Sequence, residues 1–172
     1  MLGFVTLIEK GRADVLLAGL AAQVAAAGVP VIAMVRAPVD GARACEMHLR
    51  LWPSDRVTSI SQPLGPGADA CTLDAGALEL AVEETARAIA AAPAGAVVIL
   101  NKFGKQEAAG RGCRPLIGQA LEAGLSVLIS VPPETRADFA AFAGDLAEEL
   151  PADALALADF LGVPATTVSK PL

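Results

Sequence analysis

Short β-branched runs alternate with amphipathic stretches along this chain. Leu2–Ile8 reads as a first strand, Pro30–Val35 as a second, and Val97–Leu100 and Ser126–Val131 as two more. Each is apolar enough to be covered on both faces. Between the first two, Leu16, Leu17, Leu20 and Val24 recur at helical spacing. They predict a helix over Val15–Ala27, capped by Asp14 and stopped by Gly28. Residues 73–90 predict the clearest helix, with Asp74 as cap and Leu78, Val82 and Ile89 on its apolar face. Pro115 suits the first turn of a helix running to about Ala123. Ala137–Ala143 and Ala152–Leu161 predict two more. In the middle, Glu46–Trp52 alternates, with Met47, Leu49 and Leu51 on one face and Glu46, His48 and Arg50 on the other. Val57–Ser61 can return antiparallel around the turn Pro53–Arg56, which places a β-hairpin insertion on a sheet edge. Residues 62–67 read as a loop. The expected architecture is a three-layer α/β sandwich with a mainly parallel sheet, one domain over residues 1–162 and a frayed tail over 163–172.

Composition changes this picture little. The chain has 172 residues and five Phe, one Trp and no Tyr, so Ala, Leu and Val must build the core. A net charge of −6 keeps it soluble and argues against a nucleic-acid surface, which needs a basic stripe. Three widely spaced cysteines imply no secreted disulfide framework. No apolar run has the length of a membrane span, and Met1–Ile8 lacks the basic start and the length of a signal peptide. A cytoplasmic protein is expected, and the Ala-rich helices leave room for a homo-oligomer face.

Charge matters locally. Four of the thirteen basic residues, Lys102, Lys105, Arg111 and Arg114, follow the apolar run Val97–Leu100, with Asn101, Gln106 and Glu107 among them and Gly104, Gly110 and Gly112 between. A plain connector takes about 2–6 residues. A buried strand opening into a longer, Gly-rich, basic loop is where open α/β sheets bind ligands. The unpaired amides at the start of the first helix are a second anion-friendly feature, with Lys10, Gly11, Arg12 and Asp14 around them. A small anionic ligand is the expected partner.

Asn101-Lys-Phe-Gly-Lys-Gln-Glu107, followed by a helix and a buried strand, resembles the Walker B segment of the small P-loop nucleoside triphosphatases first described from thermophiles. Gly104 and Glu107 match that motif in register. Cys45-Glu-Met-x-Leu49, Leu64-Gly-Pro-Gly67, Cys71-x-Leu-Asp74, Asn101–Glu107 and Gly110-Arg-Gly112 together are similar to the signature of a family of uncharacterised bacterial proteins of about this length. Its members are labelled nucleoside-triphosphatase-like or ATP-binding proteins of molybdate transport. The resemblance implies a P-loop-like fold and ATP or GTP with Mg²⁺ as ligand. The residues depart from a working P-loop. G-x-x-x-x-G-K-[ST] is missing from Thr6–Asp14, where Ala13 stands for the Lys and Asp14 for the hydroxyl residue. Asn101 replaces the Walker B Asp, and Lys102 replaces the acidic residue after it.

The expected function is therefore a degenerate P-loop-like site that binds a nucleotide or phosphate-like anion, with hydrolysis doubtful and no catalytic residue assigned. Its residues are Lys10, Gly11, Arg12, Asp14, Asn101, Lys102, Gly104, Lys105, Glu107 and Arg111. The alternative is a non-enzymatic accessory protein for molybdate or metal handling; a third reading is a hydrolase with an unorthodox metal held by Asp14 and Glu107. Cys45, His48 and Cys71 are weak metal candidates: two Cys and one His suffice for tetrahedral zinc with one outer ligand, but their spacing is not a known ligand spacing, so no metal site is predicted. A Cys45–Cys71 redox pair requires Cα atoms within about 7 Å.

Overall fold

The computed structural model describes residues 1–63 and 71–164. Its elements run β1 (Leu2–Val5), α1 (Arg12–Ala26), β2 (Val31–Arg36), β3 (His48–Trp52), β4 (Arg56–Ser59), β5 (Ser61–Pro63) and β6 (Cys71–Leu73). They continue with α2 (Ala75–Ala90), β7 (Val97–Lys102), α3 (Lys105–Ala108), α4 (Arg114–Glu122), β8 (Ser126–Ser130), α5 (Arg136–Ala143), β9 (Ala147–Glu149) and α6 (Ala154–Phe160).

Seven strands form one sheet in the order β4-β3-β2-β7-β8-β1-β9. The five from β2 to β9 are parallel, and the hairpin β3–β4 adds antiparallel at the edge beyond β2. Alternate residues of the parallel strands feed two cores. Leu2, Phe4, Ile32, Met34, Val98, Leu100, Val127 and Ile129 pack under α2, α4 and α5. Val5, Val31, Ala33, Val35, Val97, Ile99 and Leu128 pack under α1 and α6. Burial on both faces is why these strands read as unbroken apolar runs. Gly3 faces the second core, where a Cβ would come within 2.6 Å of Leu150 and 2.7 Å of Phe160. Only glycine lets α6 approach β1 this closely.

The three-layer sandwich, the parallel sheet and the edge hairpin are as the sequence predicts. Three details differ. The first strand stops at Val5, and α1 begins at Arg12 with Gly11 as its N-cap, at φ 81° and with no side-chain cap. Asp14 lies in the first turn instead of capping it. The short strands β5, β6 and β9 and the one-turn helix α3 have no counterpart in the expected elements. β5 and β6 pair with each other, apart from the main sheet. Leu64–Gly67, part of the resemblance, and residues 165–172 of the expected tail lie outside the described residues.

Candidate functional site

Because β1, β2, β7 and β8 are parallel, the loops that follow them gather at one edge of the sheet, where open α/β proteins place ligands. Two cavities open near it. The first, of about 360 Å³, has a floor of Met34, Met47, Leu49, Ile60, Leu73 and Leu78. Polar groups stand around that floor: Asp14, Arg36, Asn101, Lys102, Lys105, Glu107 and Glu134. The second, of about 570 Å³, runs along α1 from Gly11 to Gly19 and faces Arg43, Glu46 and His48. Asp14 and Arg36 line both.

The end of β7 shapes the first cavity. Its ladder with β8 steps from Leu100–Ile129 to Lys102–Ser130, so Asn101 is an extra residue. Such bulges re-aim side chains at strand ends. Here Asn101 Oδ1 accepts the Arg36 backbone N–H at 3.3 Å, and its carbonyl accepts the Ser130 hydroxyl at 2.6 Å. Phe103 then enters the core against Phe139, 5.1 Å between ring centroids, and Phe142, 5.7 Å. The Phe103 carbonyl accepts Thr135 Oγ1 at 2.5 Å, which joins the loop after β7 to the loop after β8.

Glu107 braces this wall from inside. It is buried, its Oε2 accepts the Gly104 N–H at 2.8 Å, and its Oε1 accepts the Cys113 N–H at 2.9 Å. Three of the four buried polar residues described, Glu107, Ser130 and Thr135, belong to this one wall, so its polar groups are spent on fixing loop geometry. Cys113 is buried beside them. Burial first, then the charge and hydrogen bond of Glu107, push its thiol well above the ordinary range and keep it protonated. Lys102 and Lys105 differ from these fixed groups: both are exposed, both line the cavity, and neither has an ion pair among the described residues.

A profile of the family described as "Protein of unknown function (DUF2478)" matches residues 3–160. The chain belongs to the DUF2478 family. It is similar to the molybdenum import ATP-binding protein ModC 2 of Bradyrhizobium diazoefficiens, with 37% identity over 139 residues. That match covers 80% of this chain and 15% of the relative, so this chain spans a small part of the ModC protein's length. The solution structure of a human cancer-related nucleoside triphosphatase is similar in fold, at a TM-score of 0.56 and 16% identity, over 76% of this chain and 75% of that one. The DUF2478 chain thus shares its mainly parallel α/β fold with that nucleoside triphosphatase.

Its residues do not fit a magnesium triphosphate held in the P-loop manner. A carboxylate, Asp14, stands in the first turn of α1, where a P-loop offers a hydroxyl. Asn101 supplies no carboxylate at the end of β7, and its amide oxygen is engaged by Arg36. No group of three or more His, Cys, Asp or Glu able to hold a metal exists among the described residues.

Of the ten expected site residues, the first cavity gathers Asp14, Asn101, Lys102, Gly104, Lys105 and Glu107. Gly11 lines the second cavity. Lys10, Arg12 and Arg111 line neither. Arg12 pairs with Glu9 at 3.7 Å, and Arg111 donates to Gln106 Oε1 at 3.0 Å. Sequence reasoning missed Arg36, Glu134 and Thr135, which come from the ends of β2 and β8. The signal available was position, since each follows a predicted parallel strand within a few residues. Cys45 and Cys71 are disulfide-bonded with Cα atoms 5.4 Å apart, inside the limit for a pair. Their bond removes both thiolates from the zinc arrangement considered with His48, which faces the second cavity instead.

Proposed function

We propose that this chain binds a nucleotide or another phosphate-like anion in the cavity beyond β2, β7 and β8. The observation that carries this reading is a pair of exposed ammonium groups at the cavity, Lys102 at the end of β7 and Lys105 at the start of α3, with no ion pair among the described residues and with buried Glu107 bracing the backbone around them. A backbone already braced adds no loop-ordering cost on binding. Arg36 adds a third cation at the same cavity. The similarity to a protein named as ATP-binding agrees with a nucleotide as ligand. Hydrolysis is not part of the proposal, because the groups that hold and activate Mg-nucleotide in P-loop enzymes are replaced. A second reading, an accessory role in molybdate handling, is favoured by the molybdenum-import name of the same relative.

Thermal shift with AMP, GMP, ATP, GTP, phosphate and molybdate, each with and without Mg²⁺, tests both readings. A ligand selective for the folded state adds about 2.7 kcal/mol of stability at a hundredfold excess over its Kd. A nucleotide shift that Lys102→Ala abolishes is the expected result. A shift with molybdate alone selects the accessory reading. No shift with any of the six overturns anion binding at this cavity.

A further inference from the structure

The two halves of the first cavity ask for different chemistry. Its floor, made by Met34, Met47, Leu49, Ile60, Leu73 and Leu78, offers no charge. An inorganic oxyanion would use the rim and leave that floor bare. The floor is also much larger than a single methyl pocket, since the whole space of about 360 Å³ falls in the range of small-molecule sites. Two thioethers stand in it, and methionine sulfur packs favourably against aromatic rings.

The rim limits the charge of the occupant. Arg36, Lys102 and Lys105 bring three positive charges, while Asp14, Glu107 and Glu134 bring three carboxylates to the same cavity. Glu107 is turned toward backbone amides, but its charge stays close by. Among the described lining residues the sum leaves no cationic excess for the four charges of a triphosphate. One or two negative charges placed beside Lys102 and Lys105 suit it better.

We infer that the ligand is an organic phosphate of one or two charges with a flat aromatic or heteroaromatic body lying on the Met34–Met47–Leu73 side of the cavity. The inference rests on the anion-binding reading above and narrows it. A nucleoside monophosphate belongs to this class; a nucleoside triphosphate, inorganic phosphate and molybdate do not.

Titration calorimetry on the full chain separates the cases, with AMP, GMP, phenyl phosphate, ATP, inorganic phosphate and molybdate as probes. At least one of the first three binds tenfold or more tightly than inorganic phosphate, molybdate and ATP. The variant M47Q/L73Q, at two half-buried positions, removes that tenfold preference; its melting curve verifies folding. Equal affinity for phenyl phosphate and inorganic phosphate, or tightest binding of ATP or molybdate, overturns the inference while anion binding stands. Absence of binding by all six probes overturns the anion-binding reading itself. Should M47Q/L73Q unfold, Met47→Gln alone gives the same comparison, and an undiminished preference in it counts against the floor.

Discussion

Gly112 and Glu107 show how little freedom single residues have beside the cavity. Gly112 sits at φ 59°, and a Cβ there would overlap Glu107 Oε1. The carboxylate in turn pairs two backbone amides that no water reaches easily. Leaving a buried donor unsatisfied costs about 1–3 kcal/mol. Glu107→Ala therefore destabilises by about 3 kcal/mol, and Gly112→Ala by a comparable amount, through left-handed strain and displacement of the same carboxylate. Urea denaturation checks this: the midpoints should fall at unchanged slope, and wild-type midpoints would remove the bracing role. The basic window was readable at this scale as a cluster, but its geometry was not. Lys102 and Lys105 reach the cavity, whereas Arg12 and Arg111 are taken by Glu9 and Gln106. Neighbouring charges in sequence do not say which side chain finds a local partner first.

Among the elements, those with a strong period were legible and those set by distant partners were not. Helix α2 carries its apolar stripe and an Asp74 cap that accepts the Ala77 N–H at 2.9 Å, so sequence alone placed it. The hairpin β3–β4 announced itself by alternation. Strands of three residues such as β9 exist only because β1 offers a free edge, from Leu2–Ala147 to Phe4–Glu149. No local pattern could reveal them. The start of α1 was misplaced because Asp14 has the chemistry of a cap, while the true cap, Gly11, uses backbone conformation alone. What ties the hairpin to α2 is also nonlocal: Glu84 accepts Ser54 Oγ at 2.7 Å and Arg56 Nε at 3.0 Å. Those bonds, Arg56 first and Ser54 second, hold the Glu84 carboxyl below its ordinary range. A carboxyl lowered by folding stabilises above its unfolded value of about 4.3 and loses that contribution as pH falls through the folded value. The wild-type melting point should therefore drop below about pH 4.5, and Glu84→Gln should flatten that drop. At neutral pH the variant costs about 1 kcal/mol, since the pair is partly exposed. An identical acid profile for the two proteins would refute the assignment.

At the scale of the molecule, the first cavity depends on a segment that the parallel sheet does not contain. Met47, Ile60 and Leu73 form part of its floor, and they belong to the stretch from the end of β2 to the start of α2. Backbone bonds hold that stretch at Ile60, whose N–H reaches Met47 and whose carbonyl takes the Asp74 N–H. The Cys45–Cys71 bond closes it across 26 residues. A cross-link of that span stabilises mainly by restricting the unfolded chain, by about 3 kcal/mol in the entropic account. Cys113 is buried and protonated, and so contributes no competing partner in the folded state. Denatured without reductant, the protein should show one reactive thiol per chain and, after reduction, three. Cys45→Ser should lower the unfolding free energy by about 3 kcal/mol, and dithiothreitol should do the same to the wild type but nothing further to the variant. If three thiols react before reduction, or if reductant leaves the melting point in place, the cavity floor is held by hydrogen bonds and packing alone. If instead the floor loosens on reduction, ligand affinity should fall with it, because Met47 and Leu73 then lose their fixed positions on either side of the cross-link.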